Sequence, residues 1–157
     1  MTEQFSNPTP DEARRALAHA AGASVATSAD RTRLERGLIA IGLAVAALVL
    51  ALRLTVGNLD APGWIRFGGF GVVMAVYVVA ITVAVLAMRR AAASPRGFTL
   101  RYNLGLGLTM LLYAGYVVAQ SVRVDDAVPW MWTVLAALVT MIPALLAAHS
   151  ISRLALR

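Results

Sequence analysis

The chain contains long apolar stretches, and some of the side chains within them carry hydroxyl groups. The positions of these hydroxyl groups suggest that they could bond to each other or to a ligand. Tyr77 and Tyr113 each fall near the middle of one stretch, and Thr82 and Thr109 match each other nearer the arginine-rich side. On neighbouring antiparallel helices such hydroxyls can hydrogen-bond across the interface, at about 0.6–2 kcal/mol per bond. They can instead line a polar notch for a ligand. We favour the structural interpretation and keep the ligand notch as the alternative.

Arginine supplies all fourteen of the Lys and Arg residues in the chain. Four of them, Arg89, Arg90, Arg96 and Arg101, lie between the second and third apolar stretches. Guanidinium groups at a membrane surface attract anionic lipid headgroups at about 1 kcal/mol each, and the same charges help to set topology. We therefore predict contacts with anionic headgroups or a protein partner here, and no direct contact with nucleic acid.

The groups that catalysis or metal binding would require are missing or isolated. Arg53 is the only formally charged residue within the apolar stretches, so the membrane-embedded carboxylate of a proton-coupled transporter is absent. The chain has no cysteine, and neither His19 nor His149 has a second ligand at helical spacing. The sequence therefore predicts no catalytic residue, no metal site and no cofactor, and a protein that is not an enzyme.

Four stretches of the chain are long and apolar enough to cross a membrane. They are residues 38–56, 67–88, 104–122 and 128–148. As helices they would run about 28–33 Å, which matches a hydrocarbon core of about 30 Å. The chain is 59% hydrophobic and 14% charged, whereas soluble domains are about 25% charged. The predicted fold is all-α, an integral membrane four-helix up-and-down bundle.

The arginines also predict the orientation of this bundle. Eleven lie before the first stretch, between the second and third, or after the fourth; Arg53, Arg66 and Arg123 lie on the other side. The positive-inside rule places the larger group, and so both termini, in the cytoplasm. Three tryptophans at the outer ends of the stretches agree, since indole rings favour the interface. Because the arginine and alanine bias is typical of GC-rich bacteria, we predict a multi-pass protein of the bacterial cytoplasmic membrane.

The polar N-terminal segment differs from the rest of the chain. We assign residues 1–36 to a cytoplasmic segment and residues 37–157 to the transmembrane domain. Thr9 can cap a short helix that has Pro10 at its first position and ends near residue 21. A second helical piece, just before the first apolar stretch, is expected to continue into it.

Small residues recur every four positions along the fourth stretch, at Ala136, Thr140, Ala144 and Ala148. In lipid, helices associate by close backbone approach along such stripes. The stripe therefore predicts tight packing, either within the chain, which we favour, or against a second protein. Pro143 in the same stretch removes one backbone hydrogen bond and predicts a local kink or opening.

One short sequence carries a resemblance to known proteins. The run PDEARRAL at residues 10–17, followed by a charged stretch and four apolar helices, resembles small uncharacterised four-helix membrane proteins of actinobacteria. Some of these look to be encoded beside winged-helix regulators. The resemblance implies a membrane partner for a cytosolic factor.

Two functional hypotheses follow. The first is a non-enzymatic interaction or regulatory subunit, whose residues 1–36 or small-residue stripe contact a protein partner and whose inner arginines contact lipid. The alternative is a small transporter or channel that works as an oligomer, suggested by the tyrosine and threonine hydroxyls and by Pro143.

Overall fold

The computed structural model of the chain describes residues 9–15, 27–91, 97–122 and 128–153, and the regular structure within these residues is entirely helical. Its four long helices are α1 (Ser28–Leu54), α2 (Gly63–Arg89), α3 (Phe98–Val122) and α4 (Trp130–Ser152). Each is long and apolar enough to cross a membrane. The described part of the chain is therefore all-α, with four helices suited to a multi-pass membrane protein.

The first long helix begins well before the first apolar stretch. Thr27 caps α1: its hydroxyl accepts a hydrogen bond from the Asp30 backbone N–H at 3.1 Å, and the Asp30 carboxylate accepts one from the Thr27 hydroxyl at 2.8 Å. This reciprocal arrangement satisfies amide groups that a helix start otherwise leaves unbonded. As a result residues 28–36, with their arginines, belong to the same rigid helix as the first span. The boundary predicted after residue 36 falls inside α1.

The N-terminal segment contains a second cap of the same kind. Residues 10–15 are helical. The Glu12 carboxylate accepts hydrogen bonds from the Thr9 backbone N–H at 2.9 Å and from the Thr9 hydroxyl at 3.0 Å. The rest of the predicted N-terminal helix, residues 16–21, lies outside the described residues.

The centre of the bundle is the pair α1 and α4. α1 packs most extensively against α4, α3 also packs mainly against α4, and α2 packs against α1. Within the described residues α2 and α3 have no close backbone approach, so the packing order is α2–α1–α4–α3. Consecutive helices run antiparallel, because the start of α1 packs against the ends of α2 and α4: Leu34 lies in one cluster with Met88, and Leu38 lies in another with Ile151.

Small residues allow α1 and α4 to approach closely. A Cβ placed on Gly42 would lie only 2.8 Å from the Ala144 Cβ, so glycine is required at this contact. Ala144 and Ala148 are fully buried, and Thr140 is 1% exposed. The small-residue stripe of the fourth helix thus packs inside the chain, as helices in lipid do where backbones meet.

The ends of the helices form two chemically different surfaces. We call the surface at the starts of α1 and α3 and the ends of α2 and α4 the arginine end. The opposite surface is the tryptophan end, where Trp64, Trp130 and Trp132 are 48–76% exposed. Exposed indole rings at one level of a bundle are typical of the boundary between hydrocarbon and water.

Candidate functional site

The hydroxyl pairs predicted between the second and third helices do not form hydrogen bonds with each other. The backbones of α2 and α3 do not approach closely, and no hydrogen bond joins Tyr77 to Tyr113 or Thr82 to Thr109. The Thr82 hydroxyl instead donates to the Val78 carbonyl of its own helix at 2.7 Å. Thr109 is fully buried, and within the described part of the chain its hydroxyl has no hydrogen-bond partner.

A different hydroxyl pair bridges two helices. The Tyr116 hydroxyl of α3 lies 3.4 Å from the Thr133 hydroxyl of α4, and both residues are buried. The sequence analysis missed this contact. The signal that could have found it is the very short connection between the third and fourth stretches, which makes these helices antiparallel neighbours and brings their adjoining ends together.

Arg53, the charged residue within the first apolar stretch, joins two parts of the tryptophan end. Its Nε donates to the Val128 carbonyl at 2.8 Å, and a terminal guanidinium nitrogen donates to the Gly57 carbonyl at 2.7 Å. Its guanidinium carbon also lies 5.3 Å from the centre of the Trp130 ring. Hydrogen bonds from a charged donor and a cation–π contact are both strong in apolar surroundings. Arg53 therefore holds the end of α1 to the start of α4.

The four arginines predicted to contact lipid or a partner have different surroundings. Arg101 donates a hydrogen bond to the Ser150 carbonyl, which ties α3 to the end of α4. Arg89 and Arg90 are exposed, with no side-chain hydrogen bond or ion pair to a described residue. Arg96 lies outside the described residues. Arg89 and Arg90 therefore remain available at the arginine end, whereas Arg101 is partly used within the bundle.

A groove opens between α1 and α2 at the arginine end. It has a volume of about 310 Å³. Its lining comprises two arginines and six small or β-branched residues: Arg33, Arg36, Gly37, Ala40, Ala80, Val83, Ala84 and Ala87. The sequence analysis did not identify this groove, because it depends on which faces of α1 and α2 meet.

Three observations define the charge at the mouth of this groove. Arg33 donates to the Arg90 carbonyl at 3.2 Å, so its guanidinium lies at the C-terminal end of α2, and its side chain is 54% exposed. Arg36 is exposed and makes no hydrogen bond or ion pair to a described residue. The carboxylate beside the mouth is Asp30, 3.7 Å from Arg33 and almost fully buried. Positive charge therefore dominates the mouth.

Two further cavities lie toward the tryptophan end. The larger, about 540 Å³, lies between α3 and α4 and is mainly apolar, with Tyr116 and Thr140 in its lining. The smaller, about 320 Å³, lies between α2 and α3 where their backbones diverge, and Tyr113 and Gln120 line it. The buried side-chain oxygen of Gln120 has no hydrogen-bond partner among the described residues. The lining of this cleft is thus mainly apolar, and Gln120 adds one unsatisfied acceptor to it.

Titratable groups form no metal site in the part of the chain that the structure describes: no three His, Asp or Glu side chains cluster there. The exposed carboxyl group of Glu12 has its pKa lowered below 4.5, first by the hydrogen bond from the Thr9 backbone N–H and then by the bond from the Thr9 hydroxyl. Both bonds favour the charged carboxylate. The pKa shift reflects helix capping.

Comparison of the chain with models of known families, with curated proteins and with solved structures gave no match. A function must therefore be inferred from the chain's own surfaces. Two features of the described residues offer specific chemistry: the positively charged arginine end with its groove, and the cleft between α2 and α3.

Proposed function

We propose that this chain is a non-enzymatic interaction or regulatory subunit of the bacterial cytoplasmic membrane. Both termini face the cytoplasm, and the arginine end contacts anionic lipid headgroups and a protein partner. The partner contacts the N-terminal segment, residues 1–36, together with the exposed arginines beside it. In keeping with the resemblance of residues 10–17 to actinobacterial membrane proteins, that partner is a cytosolic factor.

The observation that carries this proposal is the unequal distribution of charge over the bundle. The described arginines at the arginine end are Arg31, Arg33, Arg36, Arg89, Arg90, Arg101 and Arg153, against the acidic residues Asp30 and Glu35. The tryptophan end carries Arg53, Arg66 and Asp60, and Arg53 is bonded within the bundle. Positive charge on one side of a multi-pass protein favours the cytoplasm and attracts anionic partners.

The nature of the apolar spans also supports a role without catalysis. The charged side chain among them is Arg53, and its hydrogen bonds hold helix ends together. Three of the four residues of the α4 stripe, Thr140, Ala144 and Ala148, are buried by the chain's own helices, so the proposed partner does not use them. Within the described bundle, the arginine end offers a polar partner more exposed charged side chains than the tryptophan end does.

The orientation can be tested with single cysteines, because the natural chain has none. We expect Asp60→Cys, at an exposed position of the tryptophan end, to react with an impermeant maleimide on intact cells. Thr99→Cys, exposed at the arginine end, should react only after the membrane is opened. The reverse pattern would refute the proposed orientation.

The partner can be tested by purification of the full chain in mild detergent at native expression. We expect a cytosolic protein to copurify, and to be lost after deletion of residues 1–26. A matched variant, Arg66→Gln at the tryptophan end, should retain it. Recovery of this chain alone in every case would refute the interaction hypothesis.

A small oligomeric transporter or channel is the second candidate function. The cleft between α2 and α3 favours it, because Tyr113 and the unsatisfied Gln120 oxygen provide polar groups beside an apolar cavity of about 320 Å³. Reconstituted protein should then increase ion or drug flux over empty liposomes, and Gln120→Leu should change that flux. Flux equal to that of empty liposomes would eliminate this candidate.

A further inference from the structure

We propose that the groove between α1 and α2 binds one anionic phospholipid of the leaflet at the arginine end. An acyl chain lies along the small residues, and the phosphate group lies between Arg33 and Arg36. This inference rests on the proposed orientation only for the identity of the leaflet, which would be the cytoplasmic one.

The shape of the groove suits the acyl chain of a lipid. Gly37 and Ala84 are buried residues in its lining, and a Cβ on Gly37 would overlap the Met88 side chain, so α1 and α2 meet closely below it. Ala40 of α1 and Ala80 of α2 are exposed, and their side chains are too small to fill the groove between the two helices. A volume of about 310 Å³ is at the lower end of the range for ligand pockets, about 300–1,000 Å³. This volume suits a segment of one acyl chain.

The charges at the mouth require the other end of the occupant to be anionic. One terminal guanidinium nitrogen of Arg33 donates to the Arg90 carbonyl and lies 3.7 Å from the Asp30 carboxylate, which orients the side chain. The N–H groups of Nε and of the other terminal nitrogen are left for a ligand. Arg36 lies one helical turn farther along the same face of α1. Glu35 lies about 160° around α1 from Arg33, so it does not neutralise the mouth. Guanidinium groups bind phosphate oxygens well.

The occupant must therefore be apolar along the bundle and anionic at its arginine end. The groove also opens sideways between two membrane-spanning helices, where lipid is the surrounding solvent. An anionic phospholipid meets all three conditions. A peptide would have to satisfy its backbone groups in an apolar groove, which offers no hydrogen-bonding groups apart from backbone and the two arginines.

A second groove provides an internal comparison. It lies between α3 and α4 at the same end, has a volume of about 300 Å³, and has Arg101 in its lining. Arg101 donates to the Ser150 carbonyl, whereas Arg36 makes no bond to a described residue. Two grooves of similar size thus differ in the number of guanidinium groups at the mouth. We expect selectivity for anionic lipid at the α1–α2 groove.

The test is native mass spectrometry of the full chain in detergent with added phosphatidylglycerol or phosphatidylcholine. We expect one phosphatidylglycerol to bind more tightly than phosphatidylcholine. The double variant R33Q/R36Q should weaken phosphatidylglycerol binding roughly 30-fold, and Arg36→Gln alone roughly 5-fold. Arg153→Gln, an exposed arginine at the end of α4, is the control and should bind as the natural chain does.

The apolar half of the site has its own variant. Ala40→Phe fills the groove and should reduce phosphatidylglycerol binding, whereas Ala119→Phe, in the larger cavity between α3 and α4 toward the tryptophan end, should not. A site that recognises only a phosphate group would be unaffected by Ala40→Phe, and would bind inorganic phosphate in competition. Either result would overturn the lipid proposal.

Three other outcomes would also overturn it. Equal affinity for the two lipids would show that the arginines do not select charge, and equal loss in Arg36→Gln and Arg153→Gln would show no specific groove. Loss of a copurifying protein, without loss of lipid, in R33Q/R36Q would assign the groove to a protein instead. Because the measurement is made in detergent, it is independent of the labelling that tests orientation.

Discussion

The two faces of α1 show how the same kind of residue can have different consequences. Toward α4, Gly42 meets Ala144 so closely that a Cβ would not fit, and the neighbouring residues are fully buried. Toward α2, Ala40 and Ala80 remain exposed on either side of a groove. Small residues therefore make a tight interface where backbones meet along the helix, and a cavity where they diverge. The spacing of small residues does not distinguish the two cases.

Enlarging one residue on each face tests this comparison directly. The substitution on the α4 side is expected to change the free energy of unfolding more than any other variant considered. Gly42→Leu should lower the free energy of unfolding by about 3 kcal/mol, the upper end for overpacking, because four added carbons must separate α1 from α4. Ala40→Leu adds to the groove and should change stability by less than about 0.5 kcal/mol. Unfolding in increasing dodecyl sulfate measures both. Equal losses would contradict the distinction between the faces.

The clamp at the tryptophan end is expected to have the next largest effect. Arg53→Gln removes hydrogen bonds from a charged donor to two carbonyl groups, and should lower the free energy of unfolding by about 2 kcal/mol. Trp130 fluorescence should change at the same time, because the guanidinium leaves its ring. The control is Arg66→Gln at the same end, for which we expect little change in thermal unfolding. A stable Arg53→Gln protein would mean that packing alone holds α1 to α4.

The hydroxyl contact between α3 and α4 should have a smaller effect. Tyr116→Phe removes the 3.4 Å contact with the Thr133 hydroxyl and should lower stability by about 0.6 kcal/mol. Tyr113→Phe is the matched control, because the Tyr113 hydroxyl has no hydrogen-bond partner among the described residues. Denaturation of the two variants side by side measures the difference. Identical curves would show that the Tyr116 contact contributes nothing.

The smallest expected effect concerns pH and the cap at Thr9. The hydrogen bonds from Thr9 lower the pKa of Glu12, so the cap's contribution to local helix stability is present above the unfolded-state pKa. It is lost as the pH falls through the lower, folded-state value. Titration of the Glu12 side chain by NMR should give a pKa below the ordinary value of a glutamate, and Thr9→Val, which removes one of the two bonds, should raise it. A pKa unchanged by that substitution would contradict the role of the Thr9 hydroxyl.

The sequence predicted the elements better than their contacts. The four apolar stretches correspond to four helices, because spanning length and hydropathy depend on composition over a whole segment. The sequence also placed the Tyr77 and Tyr113 hydroxyls at matching depth, yet no hydrogen bond joins them, because the backbones of α2 and α3 do not approach closely. The depth of a residue along its helix follows from its position in the sequence. Which helix faces meet depends on how each helix is rotated about its axis and on the angle at which the helices cross.

In the candidate site, too, the sequence predicted the residues at the membrane boundary but not the contacts among them. The arginines at the membrane boundary were evident from their positions, but Arg33 and Arg36, at the groove, were not singled out from the others. Their importance depends on a groove formed by residues far apart in sequence, such as Ala40 and Ala80. Likewise, the carbonyl partners of Arg53 could not be predicted, because Val128 lies 75 residues away.

Sequence by itself determined that the chain forms helices long and apolar enough to span a membrane, with positive charge concentrated on one side. These properties follow from local composition, since backbone amides without water must be satisfied within each helix. Only the tertiary structure decided that α1 and α4 form the centre, that Arg53 joins their ends, and that a groove with two guanidinium groups opens beside α2. Each of these depends on which helix faces meet, and helices in lipid choose their partners through close packing that extends over many residues.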